Sequence, residues 1–125
     1  MLGHEKINQA FAIAQEAQKL FNQRLYVEAG LEYEKALELD GLEYSYFENA
    51  ASSFFMAGDY GKALIYSDKV INKLNPKTGK SEYINALVHF NIGGAKLACQ
   101  QLQKAIDFGF TQAQETYDQR CNTAQ

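Results

Sequence analysis

The sequence predicts an all-α chain: one domain built as a solenoid of three helix-turn-helix pairs, closed by a seventh, capping helix. Three observations carry this. Small and apolar residues recur along the 125 residues at intervals of 34 and then 35. Within each interval the apolar positions step by three and four, which marks one face of a helix. A single proline, Pro76, stands in the whole chain, and proline in a helix interior costs about 3 kcal/mol.

The repeat shows when three segments are laid side by side: AQEAQKLFNQRLYVEAGLEYEKALELDG, ENAASSFFMAGDYGKALIYSDKVINKLN and YINALVHFNIGGAKLACQQLQKAIDFG. Ala17, Ala51 and Ala86 align, as do Phe21, Phe55 and Phe90. Ala29, Ala63 and Ala98 align, then Lys35, Lys69 and Lys104, then Leu37, Ile71 and Ile106. The extra residue of the longer interval is expected in NPKTGKS, a stretch rich in turn formers. Repeats are expected over 10–43, 44–77 and 79–110, with the cap over 111–122.

Each repeat divides into two helices. Ile7, Phe11, Ala14, Ala17 and Phe21 form the apolar face of the first. Tyr26, Ala29, Tyr33, Ala36 and Leu37 form that of the second, and Asp40-Gly41 stops it. In the second repeat a helix over 44–57 turns at Gly58-Asp59, where Asp59 is a natural N-cap. Its partner runs to Leu74 before Asn75-Pro76. In the third, Gly93-Gly94 makes the turn and Gly109 ends the helix that begins at Ala95. Thr111 and Gln114 have the spacing of a capping box for the last helix. That helix is polar apart from Ala113, Tyr117 and Cys121, as the exposed end of a solenoid needs to be. The aligned alanines allow the helices of a pair to approach closely, and the aromatics at 21, 55 and 90 fill the space beside them.

Composition removes several function classes. A formal net charge of −3 offers no basic stripe for nucleic acid. No apolar run approaches the ~20 residues that span a bilayer. The start, MLGHEKINQAF, lacks the basic-then-apolar layout of a secretory signal. The chain therefore reads as cytoplasmic, or as a mature or trimmed fragment of something longer. The two cysteines, Cys99 and Cys121, leave two readings open: reduced thiols, or one disulfide in an exported protein.

Chemistry has little to stand on. His4 lies near a terminus, and His89 aligns with Leu20 and Phe54, so packing is its expected role. Neither cysteine has a histidine or a helix start nearby to lower its pKa. Gly93-Gly94 has no phosphate-binding loop around it, and no cluster has metal-ligand spacing. Neither an enzyme nor a cofactor is expected.

AGDYGKALIYSDKVI at 57–71 and YVEAGLEYEKALELD at 26–40 resemble the tetratricopeptide repeat: a Gly-Asp-Tyr turn, then Ala-x-x-x-Tyr-x-x-Ala-Leu. Departures from it are Arg24-Leu25 in the first turn, Ser67 and Val70 in the second repeat, and Ala95 and Leu102 in the third. The tail, from GGAKLACQQ to ETYDQRC, is similar to the last repeat of many bacterial tetratricopeptide proteins. That likeness implies a natural chain end near here and brings Cys99 and Cys121 near each other, which favours the disulfide.

The resemblance implies a right-handed superhelix whose concave groove is lined by the first helix of each pair. The positions it puts there are Gln18 and Asn22; Glu48, Asn49, Ser52, Phe55 and Met56; and Tyr83, Leu87 and Asn91, with Phe11, Ala14, Phe21, Ser45, Lys80 and Phe90 beside them. Amides and hydroxyls there would bond a peptide backbone, and the apolar residues would take its side chains. Some domains of the family grip a chaperone tail with a two-carboxylate clamp. Asn49 and Lys80 stand at suitable places for it, but Ala14, Gln18 and Ile84 replace its other residues, so that clamp is not expected. The function implied is a non-catalytic adaptor or scaffold for a protein or peptide partner. The alternative is a structural or regulatory subunit that self-associates, which an exposed aromatic patch near Phe11 and Phe21 would favour.

Overall fold

Helix pairs follow the repeat. The structure, a computed structural model, describes residues 3–74 and 76–122. Among these lie seven α-helices: α1 (His4–Asn22), α2 (Tyr26–Leu39), α3 (Tyr44–Met56), α4 (Tyr60–Lys69), α5 (Lys80–Ile92), α6 (Ala95–Asp107) and α7 (Gln112–Arg120). No strand occurs among the described residues. Each helix packs on its chain neighbour, and α3 also packs on α5. This is an α-solenoid of three pairs and a cap. No described helix is long and apolar enough to cross a membrane.

The aligned alanines are the contact points. Ala17, Ala51, Ala86, Ala29, Ala63 and Ala98 are all 0% exposed. A methyl group at each crossing lets two backbones come close, and larger side chains fill the flanks. Tyr33, Tyr46 and Phe54 do so in the core shared by the first two pairs, which reaches Val88 of the third. Leu102 does so in a second cluster with Ala86, Ala98, Ala105 and Ala113.

The turns inside the pairs share one closure. Leu25 N–H donates to Leu20 O at 2.9 Å, Asp59 N–H to Phe54 O at 2.8 Å and Gly94 N–H to His89 O at 2.7 Å. Phe110 N–H closes the α6–α7 corner on Ala105 O in the same way, at 2.9 Å. This six-residue closure needs one residue in the left-handed conformation. Gly58, Gly93 and Gly109 hold it at φ 84°, 94° and 90°, and Arg24 holds it at φ 65°. The departure from glycine at the first turn therefore changes the residue and leaves the geometry, with a backbone strain of about 1–2 kcal/mol for a residue with a Cβ. Asp59 caps α4 as expected, its Oδ1 accepting from Lys62 N–H at 3.1 Å.

One local expectation is corrected. Thr111 makes no side-chain cap bond to α7. Its backbone is already helical, at φ −63° and ψ −29°, whereas a capping side chain reaches back from an extended residue. The corner at Gly109-Phe110 runs straight into the helix instead. After Lys69 the helix continues as a π turn from Val70 to Leu74. Val70 is 2% exposed there, so the widened turn keeps its apolar contact. Asn75, expected to end this helix, lies outside the described residues.

Gly79 closes the loop before α5. Its φ is +82°, and a Cβ on it would stand 2.7 Å from Phe110 Cβ and 2.8 Å from Ala105 O. Gly58 has φ +84° with nothing within 4 Å of the same position. Gly58→Ala should therefore lose about 1–2 kcal/mol from backbone strain alone. Gly79→Ala should lose at least about 1 kcal/mol more through overpacking. Urea unfolding of the two variants measures the difference, and equal losses would mean that the corner yields freely.

Candidate functional site

The first helices of the pairs converge on a small polar cavity. It holds about 100 Å³ and is lined by Gln18, Phe21, Tyr33, Asn49, Ser52 and Lys80. These come from α1, α2, α3 and α5, so the cavity exists only when the pairs are stacked. The Lys80 ammonium donates to Asn49 Oδ1 at 2.7 Å. The Tyr33 hydroxyl donates to Gln18 Oε1 at 3.2 Å, and Gln18 Nε2 donates to Asn22 Oδ1 at 3.0 Å. Burial pulls the Lys80 pKa below the ordinary lysine value, and the charge of Glu48 opposes that shift. A desolvated ammonium held on a neutral amide has spare capacity for an anion. Burial likewise pushes the Tyr33 phenol up to about 12.

Of the residues expected in the groove, Gln18, Phe21, Asn49, Ser52 and Lys80 line this cavity, and Asn22 is bonded to Gln18. Tyr33 was not among them. It comes from the second helix of a pair, and its length carries the hydroxyl through to the first-helix side. Its alignment with Ser67 hides that reach.

Phe55, Leu87 and Asn91 belong to a second group farther along. The Phe55 and Tyr60 rings lie 5.7 Å apart, repeating the Phe21–Tyr26 pair at 5.0 Å. Tyr60 Oη donates to Asn91 Oδ1 at 3.3 Å, while Asn91 Nδ2 donates to Leu87 O at 2.8 Å. Met56 is exposed beside them. Tyr83 leans toward the cap, its ring 5.1 Å from Phe110 and its hydroxyl 3.5 Å from Thr116 Oγ1. In the third pair Ala95 stands where the other pairs have tyrosine. There the Arg120 guanidinium covers the Phe90 ring at 4.0 Å.

Glu48 does not line the cavity. It is 4% exposed, and its Oε2 accepts from Thr78 Oγ1 at 2.6 Å and from Ser81 Oγ at 3.0 Å. The family resemblance put it in the groove. The loop between the second and third pairs folds over it instead, and a buried carboxylate takes the hydroxyls that satisfy it. Cys99 and Cys121 are joined by a disulfide that ties α6 to the end of α7.

Three outcomes follow from these environments. Glu48→Ala removes the acceptor of one buried and one partly buried hydroxyl, those of Ser81 and Thr78, and should cost about 1–3 kcal/mol, whereas Lys80→Met should leave stability unchanged or raised, since it removes a desolvated charge. Midpoints of urea unfolding separate the two. Stability should also fall above pH 10. An unfolded tyrosine ionises near 10, so the contribution of Tyr33 is full below that value and is lost as pH rises toward its folded pKa of about 12. The gap between unfolding free energies measured at pH 9 and pH 11 should be smaller in Tyr33→Phe than in the parent chain, and what remains belongs to Tyr46 and Tyr66, whose phenols burial also raises.

No family model matches the sequence, and no curated protein matches it. Solved structures do match the fold. The first tetratricopeptide repeat domain of Spaghetti (RPAP3), bound to the HSP90 peptide SRMEEVD, superposes with a TM-score of 0.84 at 18% identity. That match covers 97% of this chain and 94% of that one. The tetratricopeptide repeat domain of Arabidopsis OM64 has a TM-score of 0.86 at 15% identity, over 92% of this chain and 95% of that one. The corresponding domain of Sgt2 from Aspergillus fumigatus has 0.77 at 20%, over 93% and 81%. With its period, its buried alanines and its shared turn closure, the chain has the tetratricopeptide-repeat fold.

Proposed function

We propose that this chain is a non-catalytic protein-interaction module. It holds an extended segment of a partner along the first helices of its pairs, with one acidic group of that segment at Lys80. The observation that carries the reading is the cavity itself. It gathers an ammonium, two amides and two hydroxyls from four helices of three successive pairs. A core needs no such gathering, and an extended peptide with one anionic group does.

The pattern of cations sets the ligand class. The positions where the family's two-carboxylate clamp carries its further cations are Ala14 and Ile84 here, 9% and 4% exposed. One cation binds one anion strongly, so a single carboxylate fits better than two. The RPAP3 domain was solved with an HSP90 peptide rich in carboxylates. The ligand proposed for the present chain differs by needing fewer. Phe55, Met56 and Leu87 lie farther along and would take apolar side chains.

A second reading has its own observation. Phe11 is 57% exposed and Ile7 is 39% exposed on α1, an apolar edge that a second copy would cover.

The test is affinity capture from a lysate of the source organism, with bound proteins identified by mass spectrometry. The parent chain is run beside Ser52→Glu and Lys80→Met, each checked for folding by circular dichroism. A partner held by the parent and lost at least tenfold by both variants is the expected result, since ten-fold is about 1.4 kcal/mol of lost contact. Capture of the chain itself, or equal capture by all three, removes the groove reading. Light scattering of Phe11→Ser against the parent then decides self-association.

A further inference from the structure

The end of the solenoid is held differently from the rest. α7 has nine residues, and Ala113 is its only buried side chain. An isolated helix of that length is marginal in water. Tyr117 and Cys121 pack partly buried on the cluster of Leu102 and Ala105. The strong tie is covalent: Cys99 of α6 to Cys121, one residue past α7. Both cysteines are partly exposed, so solvent-borne thiols can approach. What α7 carries is also specific. Arg120 covers the Phe90 ring, and Thr116 meets the Tyr83 hydroxyl. Both aromatics sit on α5, the helix that also supplies Lys80.

We propose that the Cys99–Cys121 disulfide is a redox latch on α7. A dithiol reductant, such as the active site of a thiol–disulfide oxidoreductase, opens it. One thiolate of the reductant attacks a cysteine sulfur; the protein's S–S bond breaks, a mixed disulfide forms, and the other cysteine leaves as a thiolate and takes a proton. The second thiolate of the reductant resolves the mixed disulfide. Two electrons and two protons pass to the protein, which holds two thiols, and the reductant becomes a disulfide. α7 then leaves its seat, Arg120 leaves Phe90, and the third-pair end of the first-helix surface opens. The first two pairs keep their structure, because each pair of a solenoid depends only on its neighbours.

The opening is independent of any ligand, so its test is separate from the test of the interaction reading. Hydrogen exchange is followed by mass spectrometry on the full chain, oxidised and after dithiothreitol with the freed thiols alkylated and counted. The double variant Cys99→Ser, Cys121→Ser is run without reductant. Amides of α7 should exchange about 100-fold faster in both opened forms, while those of α1 to α4 change less than about twofold. Three results would overturn the latch. The disulfide resists dithiothreitol under native conditions; or α7 keeps its protection with both thiols free or replaced; or all helices lose protection together, which makes the bond a global staple.

Discussion

Everything else in this molecule depends on the close approach of two helices at an alanine. Six aligned alanines, two in each pair, have no exposed surface. A larger residue there would push the axes apart and take the turn geometry with it. The consequence is a core of unusual texture. Few large side chains are fully buried, among them Tyr33, Leu102, Val70 and Val88. A pair held by methyl groups buries too little apolar area to stand alone. Its stability comes from stacking on the next pair, which is why the same pattern must be written more than once.

Alanines set the spacing of the pairs, and buried polar groups set how one pair is turned against the next. Asn85 on α5 donates to Ser67 Oγ at 3.0 Å and to Asp68 Oδ1 at 2.8 Å on α4. Glu48 on α3 holds Thr78 and Ser81 at the start of α5. Hydrogen bonds are directional where methyl contacts are not, so a slip of one residue would leave these groups buried and unpaired. Lys80 follows Thr78 and precedes Ser81, and the same seam therefore positions it. The bond from Lys80 to Asn49 is the wet continuation of a dry network. Structure and candidate site are thus two ends of one set of polar contacts.

The third pair departs most from the repeat, and the cap compensates for it. Ala95 removes the aromatic that covers the phenylalanine in the other two pairs. An arginine from α7 takes its place, and the disulfide holds the helix that carries that arginine. A degenerate repeat at a solenoid's end is tolerable because only one neighbour has to fit it.

The sequence alone determined the number of helices, their pairing, the alanine contacts and the turns. Each of these is local or periodic. A period of 34 residues repeats the same environment, so a residue in one copy reports on its counterpart in the next. Even Arg24 follows this rule, holding the backbone conformation that glycine holds in the aligned turns. Tertiary structure alone decided the fate of Glu48, the reach of Tyr33, the π turn at Val70 and the failure of Thr111 to cap. Glu48 meets partners 30 and 33 residues away, and Tyr33 meets Gln18 across a helix pair. Such encounters depend on the offset between stacked pairs and on the direction of each side chain. Neither quantity is periodic in the sequence, because both belong to the surfaces between repeats.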